Sequence, residues 1–449
     1  MKKSNYLRVK KFLSLSFVAS MMLSVSSSLN ASTNTVDGNF SVLTYNIGAL
    51  PWPAYNYGTA GNPDGRVQEI GPRLNSFDIV GVQEQFSLFD EFREDTRFPY
   101  FSINKHLYSG GSGLDTLSKY PMAKSKKIEF DENPFYVAKG FQKNTVTIYP
   151  GVYVDVYNTH TGDDYNDHIV HQLQQISDYI QANSPADRAV IFIGDMNVTW
   201  HWPGTALQPL ITANNFQDAC VVATGNQHGP VDRILYRSGA DVTLTLDHYE
   251  RMELNQHTGD KYFGHFTKDG KLLSDHPAVL AEFNFTVADN KRLQSGDTRY
   301  LSEMKINHGY NNGFDHGPFG INQGIGGGDE WDGQAMRMDP KSYSKGIGVH
   351  AFSRIIVNTD KKYSRFISDV GIDEESGPKG KVRFKVFINA TETAWGTLVF
   401  DSGIMEPWTP TKTVDIDVSN ADTLKLVVTT EGSDSWDHAD WANARFILK

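Results

Sequence analysis

The sequence is nearly devoid of cysteine: Cys220 is the only one in 449 residues. A single cysteine excludes an internal disulfide and any cluster of thiolate metal ligands, so each folded domain must be held by apolar packing. Following Phe216-Gln-Asp-Ala, it reads as a small buried apolar residue and not as a reactive thiol. Positive charge is scarce too, with 42 Lys and Arg against 53 Asp and Glu and a formal net charge of −11. Such a chain is not built for unspecific attraction to nucleic acid, although a local basic groove could override that. The apolar run Phe12 to Leu23 is short and broken by serine, which argues against a membrane-spanning helix. There is no low-complexity tract. With 12% aromatics, the composition is that of a folded soluble protein, long enough for two domains or more.

What the N-terminus does have is order. Lys2, Lys3, Arg8, Lys10 and Lys11 precede the apolar run, and a Ser-rich patch and Ala31 follow it. This is the sequence of regions in a secretory signal, so residues 1–31 are expected to be a signal peptide and the protein to be extracellular or periplasmic. Removing that segment takes away five positive charges and no negative ones, leaving −16. No cysteine lies near it to carry a lipid anchor.

The central stretch is Ile191 to Asn197, Ile-Phe-Ile-Gly-Asp-Met-Asn, a buried strand that ends on Asp195 and Asn197. Alternation puts both side chains on one face. Other expected strands end in the same way. Phe40 to Asn46 ends on Asn46, Asp78 to Val82 delivers Glu84, and Val152 to Asn158 carries His160. Val231 to Tyr236 contains Asp232, and Asp275-His276 lies just before Ala278 to Phe285. Helices are expected at about Arg66 to Asn75, Leu88 to Thr96 and Asp167 to Asn183. Strands alternating with a few helices predict an α+β domain of packed sheets flanked by helices. Acids, amides and imidazoles that converge where buried strands stop are costly unless they bind something. Without a thiolate, the set suits an oxygen-preferring divalent ion such as Mg²⁺ acting on a phosphate ester.

The order Thr-Tyr-Asn46, Val-Gln-Glu84, Leu-Ser-Lys-Tyr-Pro121, Asn-Thr-His160, Gly-Asp195-Met-Asn197, Val-Asp232-Arg-Ile-Leu and Ser-Asp275-His276 resembles the endonuclease/exonuclease/phosphatase superfamily. The resemblance implies a DNase I-like four-layer α/β sandwich over residues 37–285. It implies that Glu84, helped by Asn46, holds Mg²⁺ or Mn²⁺, and that Asp195 and Asn197 orient and activate water. Asp232 would hold His276, the general base or charge stabiliser. His160 would bind a non-bridging oxygen or protonate the leaving group, and Asp275 would support the metal or His276. Which histidine is base and which is acid stays open.

Because this fold serves many substrates, activity is the harder question. Within the superfamily the stretch Gly-Ser-Gly-Leu-Asp-Thr-Leu-Ser-Lys-Tyr-Pro121, with Asn-Thr-His160 and the signal peptide, is most similar to sphingomyelinase-type phosphodiesterases. Pro51-Trp52-Pro53 with Tyr55 and Tyr57, and Trp200-His201-Trp202, each follow a catalytic strand end, a placement suited to a lipid headgroup interface and peripheral membrane contact. A secreted endonuclease would need basic residues along a groove, and only Lys105, Lys119, Lys143, Arg233 and Arg237 are at hand. Inositol-phosphate or glycosylphosphatidylinositol hydrolysis is a further alternative. A glycan-binding adhesin with an inactive catalytic domain is the non-enzyme alternative.

Residues 286–297 are polar and read as a linker, and from 298 to 449 short alternating runs between Gly, Asp and Pro turns predict an all-β sandwich. Tyr343-Ser-Lys-Gly-Ile-Gly-Val-His350-Ala, Phe366-Ile-Ser-Asp369-Val-Gly-Ile-Asp373 and Asp437-His438-Ala-Asp440-Trp441 resemble the NPCBM family. That resemblance implies a carbohydrate-binding module with a galactose-binding-like sandwich, hence a cell-surface or matrix glycan as partner. Trp436, His438 and Asp440 are the expected sugar contacts, and Trp441 and His350 the expected packing residues. The acids Asp369, Asp373, Glu374 and Glu375 are a candidate structural Ca²⁺ site.

Overall fold

The computed structural model describes residues 36–449 apart from 52–53, 55–60, 103–110, 133–138, 163–166, 199–205, 228, 253–255, 259–260, 312–317, 327–332 and 339. The expected signal peptide, the aromatic loops at Trp52 and at Trp200 to Trp202, and Lys105 lie outside the described residues.

The first half begins with β1 (Gly38–Ala49), α1 (Val67–Leu74), β2 (Ile79–Gln85), α2 (Phe89–Arg93), β3 (Tyr100–Phe101) and β4 (Asp115–Ser118). It continues through β5 (Lys126–Glu129), β6 (Gly140–Tyr149), β7 (Val152–His160), α3 (Asp167–Asn183), β8 (Ala189–Asp195), α4 (Gln208–Ala213) and β9 (Gln217–Asp218). It closes with α5 (Ala219–Thr224), β10 (Asp232–Arg237), β11 (Val242–Met252), the ribbon β12 (Gln256–Thr258) with β13 (Lys261–Phe263), and β14 (Ala278–Val287).

Two six-stranded sheets result, ordered β11-β14-β1-β2-β4-β3 and β5-β6-β7-β8-β10-β9. Both are built on one plan. A parallel pair, β1 with β2 or β7 with β8, is joined by an antiparallel partner, β14 or β10. Parallel strands end on the same edge, and an antiparallel neighbour begins there, so one edge of each sheet gathers three strand termini. Alternation along the strands then fills the layers. Val42, Ile79, Val154, Val156, Ile191, Ile193 and Phe283 pack between the sheets. On the outer faces Leu43, Tyr45 and Val80 meet Val67, Ile70 and Leu74 of α1. Val190 and Phe192 meet Ile169, Leu173, Ile176 and Ile180 of α3. This is the α+β fold with four layers, helix, sheet, sheet, helix, that the sequence suggested.

Residues 298–448 form a six-stranded and a five-stranded sheet packed face to face, with no α-helix among the described residues. Phe366, Phe384, Leu426, Val428, Trp441 and Phe446 fill the space between the sheets. The connection to the first half is pinned: Arg292 pairs with Asp37 at 3.2 Å, and the Leu293 N–H donates to the Tyr149 hydroxyl at 2.9 Å. Beyond it Leu301, Met304, Ile306 and Phe319 join the same apolar cluster as Phe40 and Tyr120. Lys305 pairs with Asp78 at 2.8 Å and Arg97 with Glu392 at 3.1 Å. Residues Val36–Lys449 thus make one compact unit.

Candidate active site

Strand register assembles the site. His160, Asp195 and Asp232 are direct partners across β7, β8 and β10, one row of three side chains at the edge of the second sheet. At the matching edge of the first sheet Asn46 pairs with Gln83, and Glu84 follows. The Asn46 amide nitrogen links the sheets by donating to Glu84 Oε1 and to Asp195 Oδ2, each at 3.1 Å. His160 Nε2 lies 3.6 Å from Asp195 Oδ2 and 3.9 Å from Glu84 Oε1. His276 Nδ1 meets Asp232 Oδ2 at 2.9 Å, and its Nε2 lies 3.8 Å from Asp195 Oδ2. Asn197 donates its backbone N–H to Asp195 Oδ1 at 3.1 Å and its amide to the Thr161 carbonyl at 3.1 Å. Asn46, Glu84, His160, Asp195, Asn197, Asp232 and His276 therefore meet in one place. Asp275 stands apart: it is exposed, has no hydrogen bond or ion pair among the described residues, and acts on His276 through its charge alone.

Local backbone geometry explains why these residue types sit where they do. Gly194 has φ 142°, and a Cβ there would lie 2.1 Å from the Thr159 carbonyl oxygen, so only glycine can precede Asp195. Glu84 and Asn197 both hold left-handed backbone, φ 57° and 49°. For glutamate that conformation is strained, of the kind that collects at ligand sites. Arg66, fully buried, donates to the carbonyls of Ile47 at 2.7 Å, Gly48 at 2.8 Å and Leu273, bracing the end of β1 after Asn46 against the loop before His276. The Ser274 hydroxyl donates to the Asn46 carbonyl at 2.6 Å and accepts the His276 N–H at 3.1 Å. Beneath the site Gln83 donates to Asn158 at 2.7 Å, and Asn158 donates to the carbonyls of Val82 and Asp115, a polar layer that fixes the two sheets to one another.

The electrostatics separate the two imidazoles. Burial, with Lys139 and His276 nearby, pushes His160 down to about 3, leaving it neutral. Burial also works against charging His276, but Asp232, Asp195 and Asp275 overcome it and raise the ring to about 10. Asp232 moves up to about 6 through burial and the Asp195 charge, although its bond to His276 works the other way. The two partners thus pull apart. Three acids act on His276, and near neutrality the pair is ionised, His276 carrying the proton. Burial opposes ionisation of Asp195, yet the charged His276 ring and the hydrogen bonds from Asn46 and the Asn197 N–H hold it below the usual carboxylate range, whereas burial raises Glu84.

Sequence reasoning missed Lys139. Its ammonium lies 3.0 Å from His160 Nε2 and donates to the Thr161 carbonyl at 2.8 Å. The lysine enters the site because its neighbour Gly140 pairs with His160 across β6 and β7, a long-range register that no local spacing reveals. Of the basic residues a nuclease groove would need, Lys119 bonds the Asn75 carbonyl and Lys143 pairs with Asp155. Arg233 pairs with Asp218, and Arg237 bonds the carbonyls of Arg188, Asn214, Ser184 and Pro185. These four serve the fold.

The carboxylates of Asp195 and Asp232, both buried, and of Glu84, half-buried, share the site with Lys139 and His276, and Asp232 Oδ1 has no hydrogen-bond partner. An oxygen-rich, thiol-free set of this kind fits a hard divalent cation. Ligand atoms of Asp195, Asp232 and His276 lie within 4.8 Å of one another. Glu84 Oε1 shares the Asn46 amide with Asp195 Oδ2, each at 3.1 Å, and so is a further donor beside that group. Asn46 turns its NH₂ to the two carboxylates while its Oδ1 accepts from the Gly48 N–H at 3.0 Å, so it positions Glu84 and Asp195 first of all.

In the second half, Trp436 is 46% exposed and stacks with His438, ring centres 6.3 Å apart. His438 Nδ1 is bonded to Glu375 at 2.9 Å. Asp440 does not share that surface: it is fully buried on a central strand, with neither carboxylate oxygen partnered. Burial, then Asp373 and Glu375, raise its carboxyl well above the ordinary range. Trp441 and His350 are buried, as expected of packing residues.

Residues 43–276 match the model of the Endonuclease/Exonuclease/phosphatase family, and residues 297–447 match that of the NPCBM/NEW2 domain. A sphingomyelinase of Mycobacterium tuberculosis is 32% identical over 295 residues, covering 58% of this chain and 56% of that protein. The chain thus spans little more than half the length of the curated relatives it matches. Among solved structures, sphingomyelinase C from Streptomyces griseocarneus has 20% identity and a TM-score of 0.40, covering 55% of this chain and 99% of that one. A CBM51 module from Clostridium perfringens, solved with methyl-galactose, has 29% identity and a TM-score of 0.29, covering 33% and 99%.

Proposed function

The chain belongs to the Endonuclease/Exonuclease/phosphatase family, and from that premise we propose an exported, Mg²⁺-dependent phosphodiesterase that cleaves a phospholipid headgroup as sphingomyelinases do. One observation carries the reading: Asn46, Glu84, His160, Asp195, Asn197, Asp232 and His276, spread over 231 positions of sequence, share hydrogen bonds and close charge contacts at one edge of the paired sheets. Residues 1–31 would direct export, and the aromatic loops after Asn46 and Asn197 would meet the bilayer. The C-terminal module would hold the enzyme to glycans.

A divalent cation at Glu84 would polarise a phosphate oxygen and offset negative charge growing on the phosphoryl group. Asp195, held ionised and fixed by Asn46 and Asn197, orients the attacking water. His276, protonated through Asp232, points its Nε2–H into the site to stabilise developing charge. His160, neutral, accepts from Lys139, and the pair faces a non-bridging oxygen.

Phosphocholine release from sphingomyelin vesicles tests the reading. Activity should be lost in EDTA, restored by Mg²⁺, and reduced about 10²–10³-fold in Glu84→Gln, the usual cost of removing an electrostatic contributor. Cleavage of DNA, inositol phosphates or glycosylphosphatidylinositol in place of sphingomyelin would move the substrate assignment. Failure to hydrolyse even bis-p-nitrophenyl phosphate would leave a glycan-binding adhesin.

A further inference from the structure

Three loops of the C-terminal half, 378–381, 406–409 and 432–437, border a shallow groove of about 720 Å³ that the residues discussed above do not account for. Its walls carry Trp408 and Trp436, with Lys379, Lys381, Glu406 and Ser433 between them. Trp408 is 71% exposed, the most exposed large hydrophobic residue among those described.

The backbone under the two indoles is unusual. Among the described non-glycine residues with positive φ, Trp408 (71°) and Trp436 (68°) are the only aromatic ones. Each occupies the third position of a four-residue turn closed by a backbone hydrogen bond, Thr409 N–H to Glu406 C=O at 2.9 Å and Asp437 N–H to Asp434 C=O at 3.2 Å. Pro407 precedes Trp408 at the second position, where its fixed φ suits such a turn, and the third position is one that glycine normally fills. A bulky residue there is strained. Packing repays little of that strain at Trp408, which is 71% exposed, whereas Trp436, 46% exposed, keeps a stacked contact with His438.

The loops are also locked together. A Cβ on Gly380 would lie 2.6 Å from the Trp436 carbonyl oxygen, and the Lys381 N–H donates to Asp437 Oδ1 at 2.7 Å. The Lys381 side chain pairs with Glu406 at 3.0 Å, joining the loop of Trp408 to that of Trp436. The Lys379 ammonium lies 4.7 Å from the centre of the Trp436 ring.

We propose that this groove is a saccharide-binding cleft in which a terminal hexopyranose lies between Trp408 and Trp436. The indoles would cover the apolar faces of the ring, with Lys379 moving off the Trp436 indole to bond a hydroxyl together with Glu406 and Ser433. The proposal rests on the glycan-binding reading of the module and goes further by moving the site from Asp440, which is buried, to a second tryptophan that sequence reasoning did not single out.

The test uses the full chain and an immobilised panel of oligosaccharides ending in galactose, N-acetylhexosamine or sialic acid. Trp408→Gly and Trp436→Gly relieve the positive φ, so each variant should melt no lower than the parent yet lose at least tenfold in affinity. Parent binding that both variants retain within twofold would overturn the cleft while leaving the module a glycan binder. No binding of any panel member by the parent would overturn the cleft and the glycan reading together.

Discussion

Asp232 and His276 show how much of the site's chemistry is set by single contacts. The ring gains its charge from one bond of 2.9 Å and the surrounding acids. Because its folded value lies above the ordinary 6.5, the charge contributes stability that is full below about pH 6.5 and is lost as pH climbs towards about 10. In Asp232→Asn that support goes, and the His276 titration, followed by NMR in EDTA, should fall by about 1–3 pH units, the usual influence of a neighbouring opposite charge. An unmoved titration would mean that Asp232 does not govern the ring. At this scale the sequence was informative wherever a functional residue closed a strand, and silent where burial decided. Asp440 was expected as a sugar contact beside Trp436 and His438, but it lies on a strand with neighbours on both sides, and residues 439 to 442 are all buried. Asp275 is adjacent to His276 in sequence yet faces solvent.

At the level of elements, the edge shared by the two sheets works only if the end of β1 and the loop entering β14 keep their relative position. Arg66 does this by donating to carbonyls on both. Arg66→Met removes those bonds and leaves buried carbonyls unpaired, at about 1–3 kcal/mol for each such group. Urea unfolding should show a loss of that order. Turnover should fall as well, since Asn46 and His276 would no longer be held in register. Unchanged turnover in a destabilised variant would show that the brace serves folding alone. Strands β1, β2, β7, β8, β10 and β14 were legible because their apolar runs met polar residues at the ends, whereas the short β3, β5 and β9 left no such signal. β11 was not legible either, for a bulge between Leu246 and His248 breaks the alternation that marks a half-buried strand. Lys139 escaped notice for a related reason: pairing across β6 and β7 brings it to His160, and nothing in its neighbours announces that partner.

Across the whole molecule the two halves are not independent. Phe40 and Tyr120 of the first lie in one apolar cluster with Met304, Ile306 and Phe319 of the second, reinforced by Lys305–Asp78 and Arg97–Glu392. Calorimetry of the intact chain should therefore give a single transition. A chain ending at residue 297 should melt lower and aggregate, because that apolar surface is laid bare. Two resolved transitions, with the earlier matching the truncated chain, would contradict this. The polar composition of 286–297 suggested a linker. Composition does not report that Arg292 and Leu293 are fastened to Asp37 and Tyr149.

That fastening has a mechanical consequence. A catalytic head on a slack leash can search a surface in any attitude, whereas this one has no swivel. If the rear half holds a glycan as proposed, that grip would dictate the angle at which the front half meets its substrate. Landing pose, and not tether length, would then decide which substrates come within reach.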